Sequence, residues 1–292
     1  MTGTTLKAWM LASRPKTLPA AIVPVWSGCL MAWQLEGVFD RWLATLTLAG
    51  AILIQIATNF FNDVIDARKG ADTEKRVGPT RATVSGLLTP REVYGGAFLM
   101  LVLASVCGLF LFFERGWPIL LIGIPSLYLS FGYTGGIFPL AYRGVGELFV
   151  ILFFGLVAVT GSIFVQIGTW PYQGLVLGLQ IGLLSAVLIA VNNYRDVEED
   201  REARKLTLAV RFGRPLARWL IMLMTFTPAW LVLFLTGPSL WFAGSLVLAI
   251  TFVIVEVRML RPDGVPPSLL GLSALHLILF VALQNIDVAL TG

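Results

Sequence analysis

Residues 42–65 of this chain read WLATLTLAGAILIQIATNFFNDVI, an apolar run that turns polar at its end. A helix of about 20 apolar residues can cross the hydrocarbon core of a bilayer, and this run is long enough to do so. Its last turns carry Asn59, Asn62 and Asp63, and Asp66 follows directly. Ionisable groups are costly at a membrane helix and usually face a functional cavity. The run therefore predicts a transmembrane helix that ends in a functional site.

The composition of the whole chain is also that of a membrane protein. Of its 292 residues, 57% are hydrophobic and only 13% are charged, whereas about a quarter of the residues in soluble domains are charged. Nine apolar segments can be read along the chain, at residues 17–35, 42–65, 94–113, 117–133, 145–168, 173–195, 215–236, 239–258 and 268–290. We therefore predict an all-α membrane protein with nine transmembrane helices in a single transmembrane domain, residues 1–292.

The residue inventory excludes several kinds of chemistry. The chain has one histidine, His276, and two cysteines, Cys29 and Cys107, and all three lie inside apolar segments. A zinc site built from His and Cys, or a Ser-His-Asp triad, therefore lacks its parts. Catalysis must be carried by Asp, Glu, Asn, Lys, Arg or Tyr.

The distribution of cations predicts the orientation in the membrane. If the N-terminus is cytoplasmic and the nine spans alternate, all but two of the 21 lysines and arginines fall on the cytoplasmic side. The two exceptions are Arg41 and Arg115. Such a bias follows the positive-inside rule and predicts a multi-pass protein of the bacterial cytoplasmic (inner) membrane with its polar segments in the cytoplasm.

Two polar segments on the predicted cytoplasmic side, residues 66–93 and 195–214, are more highly charged than the other connections, and they resemble each other. Each follows an apolar helix that ends in Asn and Asp, and each ends in a basic stretch. We interpret this weak repeat as two half-molecules, about 1–140 and 141–292, that each contribute one acidic cluster to a shared site.

Helical periodicity places the acidic and amide residues of each cluster on one face of a helix. Asn59, Asn62, Asp63 and Asp66 are spaced i, i+3, i+4 and i+7, and the second cluster has Asn192, Asp196 and Asp200 at i, i+4 and i+8. Oxygen ligands from two helices suit a hard cation such as Mg²⁺, which shares its coordination shell readily with phosphate. The candidate metal ligands are Asn62, Asp63, Asp66, Asp196 and Asp200. The alternative is that these are helix-end carboxylates paired with neighbouring Arg and Lys.

The implied substrate is a diphosphate on a lipid-soluble group. Cations interleaved with the carboxylates, among them Lys69, Arg76, Arg81 and Lys205, suit a multiply charged anion. A polyprenyl diphosphate fits, because its head can meet Mg²⁺ while its tail lies among the helices. Loss of diphosphate leaves an allylic cation that needs a dry pocket with electron-rich walls. Candidate wall residues are Phe60, Phe61, Phe131, Tyr133 and Tyr142.

These motifs resemble those of the UbiA superfamily of intramembrane prenyltransferases. The first motif is Asn62-Asp63-x-x-Asp66 with Asp72 following, and the second is Asp196-x-x-x-Asp200. Asp72 comes two residues later than the superfamily spacing, because Gly70 occupies the usual place. Further stretches are similar to the branch that prenylates 1,4-dihydroxy-2-naphthoate in menaquinone biosynthesis: residues 14–21, 62–81, 142–147 and 196–213.

The resemblance implies a fold, a set of site residues and a reaction. The fold is a nine-helix bundle around a central cavity. Asn62, Asp66, Asp196 and Asp200 would hold Mg²⁺ and diphosphate, with help from Lys16, Arg143 and Lys205. The candidate catalytic residues are Asn62, Asp66, Asp196, Asp200 and Lys205, and the candidate substrate-binding residues are Arg14, Lys16, Arg76, Arg81, Tyr142, Arg143 and Asn192.

The implied reaction is Mg²⁺-dependent transfer of a polyprenyl group to 1,4-dihydroxy-2-naphthoate with loss of CO₂ and diphosphate, giving demethylmenaquinone. The acceptor carboxylate needs a cation, for which Arg14, Lys16 and Arg143 are alternatives. Within the same chemistry, 4-hydroxybenzoate, homogentisate or haem as acceptor and a phytyl donor remain open. From another class, a secondary transporter would suit the paired halves, but its coupling residues would lie near the bilayer midplane rather than at cytoplasmic helix ends.

Overall fold

The computed structural model of the chain describes residues 3–70, 81–261 and 264–291, and these residues are mostly helical. The helices are α1 (Gly3–Ser13), α2 (Pro19–Glu36), α3 (Arg41–Lys69), α4 (Pro90–Arg115), α5 (Pro118–Gly132), α6 (Gly146–Val150), α7 (Ala158–Ile167), α8 (Tyr172–Arg195), α9 (Val197–Glu202), α10 (Leu208–Leu231), α11 (Leu233–Thr236), α12 (Leu240–Met259) and α13 (Ser268–Thr291). A π-helical stretch, Ile151–Val157, joins α6 to α7, and 3₁₀ turns occur at Pro15–Thr17 and Leu140–Tyr142.

Seven of the described helical stretches are long and apolar enough to cross a membrane. They comprise α3, α4, the stretch from α6 to α7, α8, the stretch from α10 to α11, α12 and α13. The segment Leu6–Thr17 and α2 form a pair bent by 52° that can be counted as an eighth span. Helix α5 is apolar but has only 15 residues. The predicted all-α membrane class is confirmed.

Helix α3 extends through Asn62, Asp63 and Asp66 of the first motif. Its N-cap is Asp40, whose Oδ1 accepts hydrogen bonds from the backbone N–H groups of Trp42 and Leu43 at 2.8 and 3.0 Å. It ends at Lys69, where Gly70 adopts a left-handed conformation with φ of 70°. The apolar pattern predicted an end near residue 65, but the helix continues for one more turn. The acidic side chains therefore project from a regular helix.

Helix α8 lies at the centre of the described bundle. In its most apolar 18-residue window 72% of the residues are buried, against 17% for α4. It packs closely on the π-helical stretch, because a Cβ atom added to Gly155 would lie 2.2 Å from the carbonyl oxygen of Gly178. Glycine at such positions allows membrane helices to approach each other closely, because a larger side chain would clash. This packing holds the N-terminal half of α8 against the π-helical stretch, and the second motif begins at the other end of α8.

The second polar segment is more ordered than a loop. Residues 195–214 contain α9 and the start of α10, whose N-cap Thr207 accepts a hydrogen bond of 3.3 Å from the backbone N–H of Val210. Gly213, with φ of 82°, interrupts α10 near its beginning. The second motif is thus held by the end of α8 and by a short helix that follows it.

Candidate active site at the ends of helices α3 and α8

Asn62 and Asp66 lie one turn apart near the end of α3, and each is held by a residue of the connection between α5 and α6. The Tyr142 hydroxyl donates a hydrogen bond of 2.7 Å to Asp66 Oδ1. The Thr134 hydroxyl donates one to Asn62 Oδ1. Asp66 is buried and Asn62 is half-buried. Two of the three ligands predicted from the first motif therefore lie on the same face of the helix, with their oxygens oriented by another element.

Asp63 has different partners. Its Oδ1 accepts a hydrogen bond of 2.9 Å from the backbone N–H of Thr83, and its Oδ2 accepts one of 3.1 Å from that of Ala82. The side chain is buried, with 1% of the residue exposed. Asp63 thus anchors the segment that leads into α4. These contacts do not support its predicted role as a metal ligand.

Asn59 attaches the N-terminal segment to the same helix. Its Nδ2 donates hydrogen bonds of 2.8 Å to the carbonyl oxygen of Ser13 and 3.0 Å to Thr17 Oγ1. The turn between these two residues carries Arg14 and Lys16, which were predicted to bind substrate. Arg14 adopts a left-handed conformation with φ of 49°, and Lys16 is exposed. Both cations are therefore carried on a turn fixed to α3, and their role stays a prediction.

The carboxylates of the second motif are paired with cations. Arg195 binds Asp196 through two hydrogen bonds of 2.5 and 2.8 Å, and each side chain is about 8% exposed. Lys205 Nζ lies 3.5 Å from Asp200 Oδ1. Buried charges are tolerated when they are paired in this way. This pairing is what the alternative interpretation, carboxylates neutralised by their neighbours, predicts for Asp196 and Asp200.

Tyr142 connects the two motifs. Its hydroxyl binds Asp66 of the first motif, and its backbone carbonyl accepts a hydrogen bond of 3.1 Å from the N–H of Leu206. The Nζ atom of Lys205, the partner of Asp200, lies 6.0 Å from the centre of the Tyr142 ring. A chain of contacts through Tyr142 and Lys205 therefore joins Asp66 to Asp200, and a site shared by the two clusters stays a prediction.

A second tyrosine lies beside the same connection. The backbone carbonyl of Tyr133 accepts a hydrogen bond of 2.8 Å from the N–H of Ala141, the residue before Tyr142. Tyr133 also directly precedes Thr134, the partner of Asn62. It is therefore a neighbour in the chain or in the fold of both residues that orient the first motif.

The remaining predicted substrate-binding residues are more dispersed. Arg143 is exposed, and its guanidinium carbon lies 3.7 Å from the centre of the Phe138 ring. Asn192 is half-buried, and its backbone carbonyl accepts a hydrogen bond from the N–H of Asp196. Arg81 is half-buried at the start of the segment that Asp63 anchors. Arg76 and Asp72 lie outside the described residues.

The donor set at these helix ends fits a hard divalent cation shared with a phosphate ligand. Among the described residues there is no compact group of three or more His, Cys, Asp or Glu side chains. Asn62, Asp66, Asp196 and Asp200 offer only oxygen atoms as ligands, which matches the preference of Mg²⁺. Mg²⁺ is commonly bound through one or two carboxylates and completed by water and substrate phosphate. The residues present therefore fit such a shared site.

A cavity of about 370 Å³ lies among α2, α3, α4, α5 and the stretch from α6 to α7. Most of its lining is apolar, and Tyr133 contributes at the end nearest the acidic residues. Three phenylalanines line it as well: Phe149, Phe153 and Phe154. Phe149 and Phe153 are stacked, with ring centres 5.3 Å apart. No described residue of α8 to α13 is part of the lining, so this cavity is not shared equally by the two predicted halves.

Most of the aromatic residues predicted as walls of the carbocation pocket pack against other aromatic residues and do not line the cavity. Phe60, Phe61 and Phe131 belong to a packed cluster in which Phe61 contacts the Phe131 ring at 5.4 Å and Phe60 contacts Trp9 at 5.3 Å. None of these phenylalanines lines the cavity. Of the predicted wall residues, Tyr133 does line it. The spacing of Phe149 and Phe153, one helical turn apart, was the sequence signal for the pair that was missed.

Two further polar contacts at the site were not predicted. Lys69 Nζ donates a hydrogen bond of 2.8 Å to the carbonyl oxygen of Thr134 and lies 4.0 Å from the centre of the Tyr142 ring. Asn193 Nδ2 donates one of 2.9 Å to Glu147 Oε1, and both residues are buried. These contacts join separate elements, so helical spacing within one element does not reveal them.

The fold and the site define an integral membrane protein with an oxygen-rich site at the ends of its helices, beside an apolar cavity. The model of the UbiA prenyltransferase family matches residues 21–278, and this chain belongs to that family.

Individual proteins agree with this assignment. The chain is 35% identical to the 1,4-dihydroxy-2-naphthoate octaprenyltransferase of Mycobacterium leprae over 262 residues, which is 89% of this chain and 88% of the relative. It is 39% identical to the protein of the same name from Mycobacterium tuberculosis, over 73% of this chain and 72% of the relative. In fold, it is similar to a UbiA homolog from Archaeoglobus fulgidus bound to GPP and Mg²⁺, with a TM-score of 0.69, 14% identity and coverage of 97% and 99% of the two chains.

Proposed function

We propose that this chain transfers a polyprenyl group from a polyprenyl diphosphate to 1,4-dihydroxy-2-naphthoate, with loss of CO₂ and diphosphate, to give the reduced (quinol) form of demethylmenaquinone. The observation that carries the proposal is the similarity, over most of the length of both chains, to relatives named for octaprenyl transfer to this acceptor. The second part of the proposal concerns the residues that perform the reaction.

We assign the binding of Mg²⁺ and diphosphate to Asn62, Asp66, Asp196 and Asp200. The all-oxygen donor set supports this assignment, as does the orientation of Asp66 by Tyr142. A bound Mg²⁺ ion would offset the negative charge that develops on the departing diphosphate. Lys205, 3.5 Å from Asp200, adds a protein cation at the same place. Asp196 would exchange part of its contact with Arg195 for this role.

We place the prenyl tail in the apolar cavity beside the motifs. The cavity reaches Tyr133, which directly precedes Thr134, the partner of Asn62, so it leads from the first motif into the apolar interior. A lining of this kind excludes water from an allylic cation. The stacked Phe149 and Phe153 rings supply the electron-rich surface that attracts such a cation.

The acceptor enters as a carboxylate and reacts at the carbon that bears it. That ring carbon forms the new bond to the allylic carbon of the donor as the diphosphate leaves, and breaking the bond to the carboxyl carbon then releases CO₂ and restores the aromatic ring. Arg14, Lys16 and Arg143 are the candidate partners of the carboxylate. Arg14 and Lys16 are favoured by their turn, which Asn59 fixes to the helix that carries Asp66.

We propose that nine spans cross the bacterial cytoplasmic membrane, with α5 as a short ninth crossing beside the bent N-terminal pair and the seven long helices. At 1.5 Å per residue α5 is about 22 Å long, so the bilayer would thin locally around it. The site and the N-terminus face the cytoplasm, as the distribution of lysine and arginine favours. The domain consists of two halves, about 1–140 and 141–292, that each provide one acidic motif.

The test is prenyl transfer by the purified protein with a labelled allylic diphosphate and a panel of aromatic acceptors. We expect a prenylated, decarboxylated naphthol, with one CO₂ released per product molecule, when 1,4-dihydroxy-2-naphthoate is supplied. If product forms only with 4-hydroxybenzoate or homogentisate, the proposed acceptor is wrong, but the protein is still an aromatic prenyltransferase. Movement of solute across vesicles without any prenylated product would contradict the proposal as a whole.

A further inference from the structure

Three residues near the end of α3 and two residues of the connection between α5 and α6 form a closed ring of contacts. Asn62 binds the Thr134 hydroxyl, and the Thr134 carbonyl oxygen accepts a hydrogen bond of 2.8 Å from Lys69 Nζ. Lys69 Nζ lies 4.0 Å from the centre of the Tyr142 ring, and the Tyr142 hydroxyl donates a hydrogen bond of 2.7 Å to Asp66. Asp66 follows Asn62 by one helical turn, which closes the ring. We call this set the α3 ring.

Lys69 joins the two parts of the α3 ring that come from the connection between α5 and α6. Its ammonium group donates a hydrogen bond to the Thr134 carbonyl oxygen and makes a cation–π contact with the Tyr142 ring. A cation over an aromatic ring is attracted electrostatically to the ring face. The same phenol orients Asp66, and the same threonine orients Asn62. Lys69 therefore acts on both proposed ligands through their partners.

We infer that Lys69 is a positioning residue that holds the first motif in its binding geometry, and that it does not bind the diphosphate itself. Lys69 was one of the cations that the sequence assigned to the substrate anion. In the structure Lys69 as a whole is exposed, but its Nζ atom donates a hydrogen bond to the Thr134 carbonyl oxygen and lies over the face of the Tyr142 ring. The inference rests on the proposed function, because it assumes that Asn62 and Asp66 bind the metal and the diphosphate.

A double-mutant cycle on the full-length protein in detergent tests this role. The variants are Lys69→Met, Tyr142→Phe and the combination of the two. The first measurement is the affinity for Mn²⁺ in the presence of inorganic pyrophosphate, without prenyl substrate, and the second is kcat and KM for prenyl transfer. Loss of an outer contact of a metal site costs about 10–100-fold in affinity or activity. We expect about a tenfold loss of Mn²⁺ affinity in each single variant.

The combination distinguishes positioning from direct binding. If Lys69 acts through Tyr142, the Mn²⁺ affinity of the double variant should lie within about twofold of that of the single variant with the lower affinity. The reason is that both changes break the same α3 ring. Lys69→Arg should recover most of the affinity, since a guanidinium group also donates to carbonyl oxygens and lies over aromatic rings. Additive losses, about 100-fold in the double variant, would mean that Lys69 acts independently of Tyr142 and would overturn the inference.

Arg68→Met is the matched control. Arg68 is the neighbouring cation, is exposed, and lies 5.0 Å from the Tyr94 ring, away from the α3 ring. Its replacement should leave Mn²⁺ affinity and turnover unchanged, whereas an equal loss would show a general effect of charge and would contradict a specific role of Lys69. If Lys69→Met does not purify as folded protein, Lys69→Gln takes its place in the same cycle.

Failure of the proposed function gives a different result. A wild-type protein that binds no Mn²⁺ with pyrophosphate and forms no prenylated product would refute the metal assignment and, with it, the role of Lys69. If the wild-type protein is active and the losses of Mn²⁺ affinity in the variants are additive, only the role of Lys69 is refuted.

Discussion

Asp63 and Asp66 lie three residues apart on α3, but their carboxylates bind different elements. Asp63 Oδ1 accepts a hydrogen bond of 2.9 Å from the backbone N–H of Thr83, whereas Asp66 Oδ1 accepts one of 2.7 Å from the Tyr142 hydroxyl. The first carboxylate is used to hold a segment of backbone. The second faces the residues that lead to the other acidic motif. Two identical side chains in one motif should therefore respond differently to mutation.

Asp66→Ala should abolish turnover and leave the protein folded. Its carboxylate is a proposed metal ligand and not part of an apolar core, so we expect a loss of at least about 100-fold in kcat/KM, beyond that of an outer contact. Prenyl transfer and thermal unfolding in detergent would be measured on the same preparation. Glu202→Ala, at an exposed position of α9, serves as the control. Retained activity in Asp66→Ala would remove this residue from the site.

Asp63→Ala should instead lower stability. The change leaves the backbone N–H groups of Ala82 and Thr83 without their acceptor, at a cost of about 1–3 kcal/mol for each buried unsatisfied group. We expect a lower unfolding temperature and a KM for Mg²⁺ close to that of the wild type in the fraction that remains folded. A large increase in that KM with unchanged stability would restore Asp63 as a ligand.

Removal of divalent cations should stop the reaction reversibly. The proposed ligands are oxygen atoms of Asn and Asp, the kind of ligand that Mg²⁺ prefers, and the helices that carry them are packed by apolar clusters. EDTA should therefore silence prenyl transfer, and added Mg²⁺ should restore it, while the unfolding temperature changes little. Activity that is insensitive to chelation would point to a different kind of catalysis.

Gly123→Leu should interfere with the prenyl tail. Gly123 lines the cavity, and a Cβ atom added there meets nothing within 4 Å, so a larger side chain projects into open space. We expect a KM that rises several-fold for a long polyprenyl diphosphate and much less for a short allylic diphosphate. The control is Gly271→Leu, an exposed glycine of α13 with equally free space. Equal effects on long and short donors would place the tail elsewhere.

Hydropathy and helical periodicity predicted most of the framework. The apolar segments correspond to the observed helices within a few residues in most cases, because hydrocarbon thickness dictates both length and composition of a span. The one-turn spacing of Asn62 and Asp66 correctly predicted that they share one face of a helix. The extension of α3 to Lys69 was not predicted, because its last turn is polar.

Packing within the bundle was much harder to predict. Phe60, Phe61 and Phe131 were expected to line a pocket, but they contact one another or Trp9 in a packed cluster, whereas Phe149 and Phe153 line the cavity. An apolar side chain in a membrane helix can face lipid, another helix or a cavity with the same sequence pattern. Only the packed arrangement distinguishes these three environments.

By itself, the sequence determined that the chain is an all-helical membrane protein, that two Asn- and Asp-containing motifs end two of its helices, and that these motifs resemble those of one family. These properties follow from composition and from spacing within single helices. The tertiary structure alone decided that Tyr142 joins the motifs, that Asp63 anchors backbone and that Lys69 faces a carbonyl group and an aromatic ring. Each of these is a contact between residues far apart in the chain, and the periodicity of one helix carries no information about which residue of another helix lies opposite.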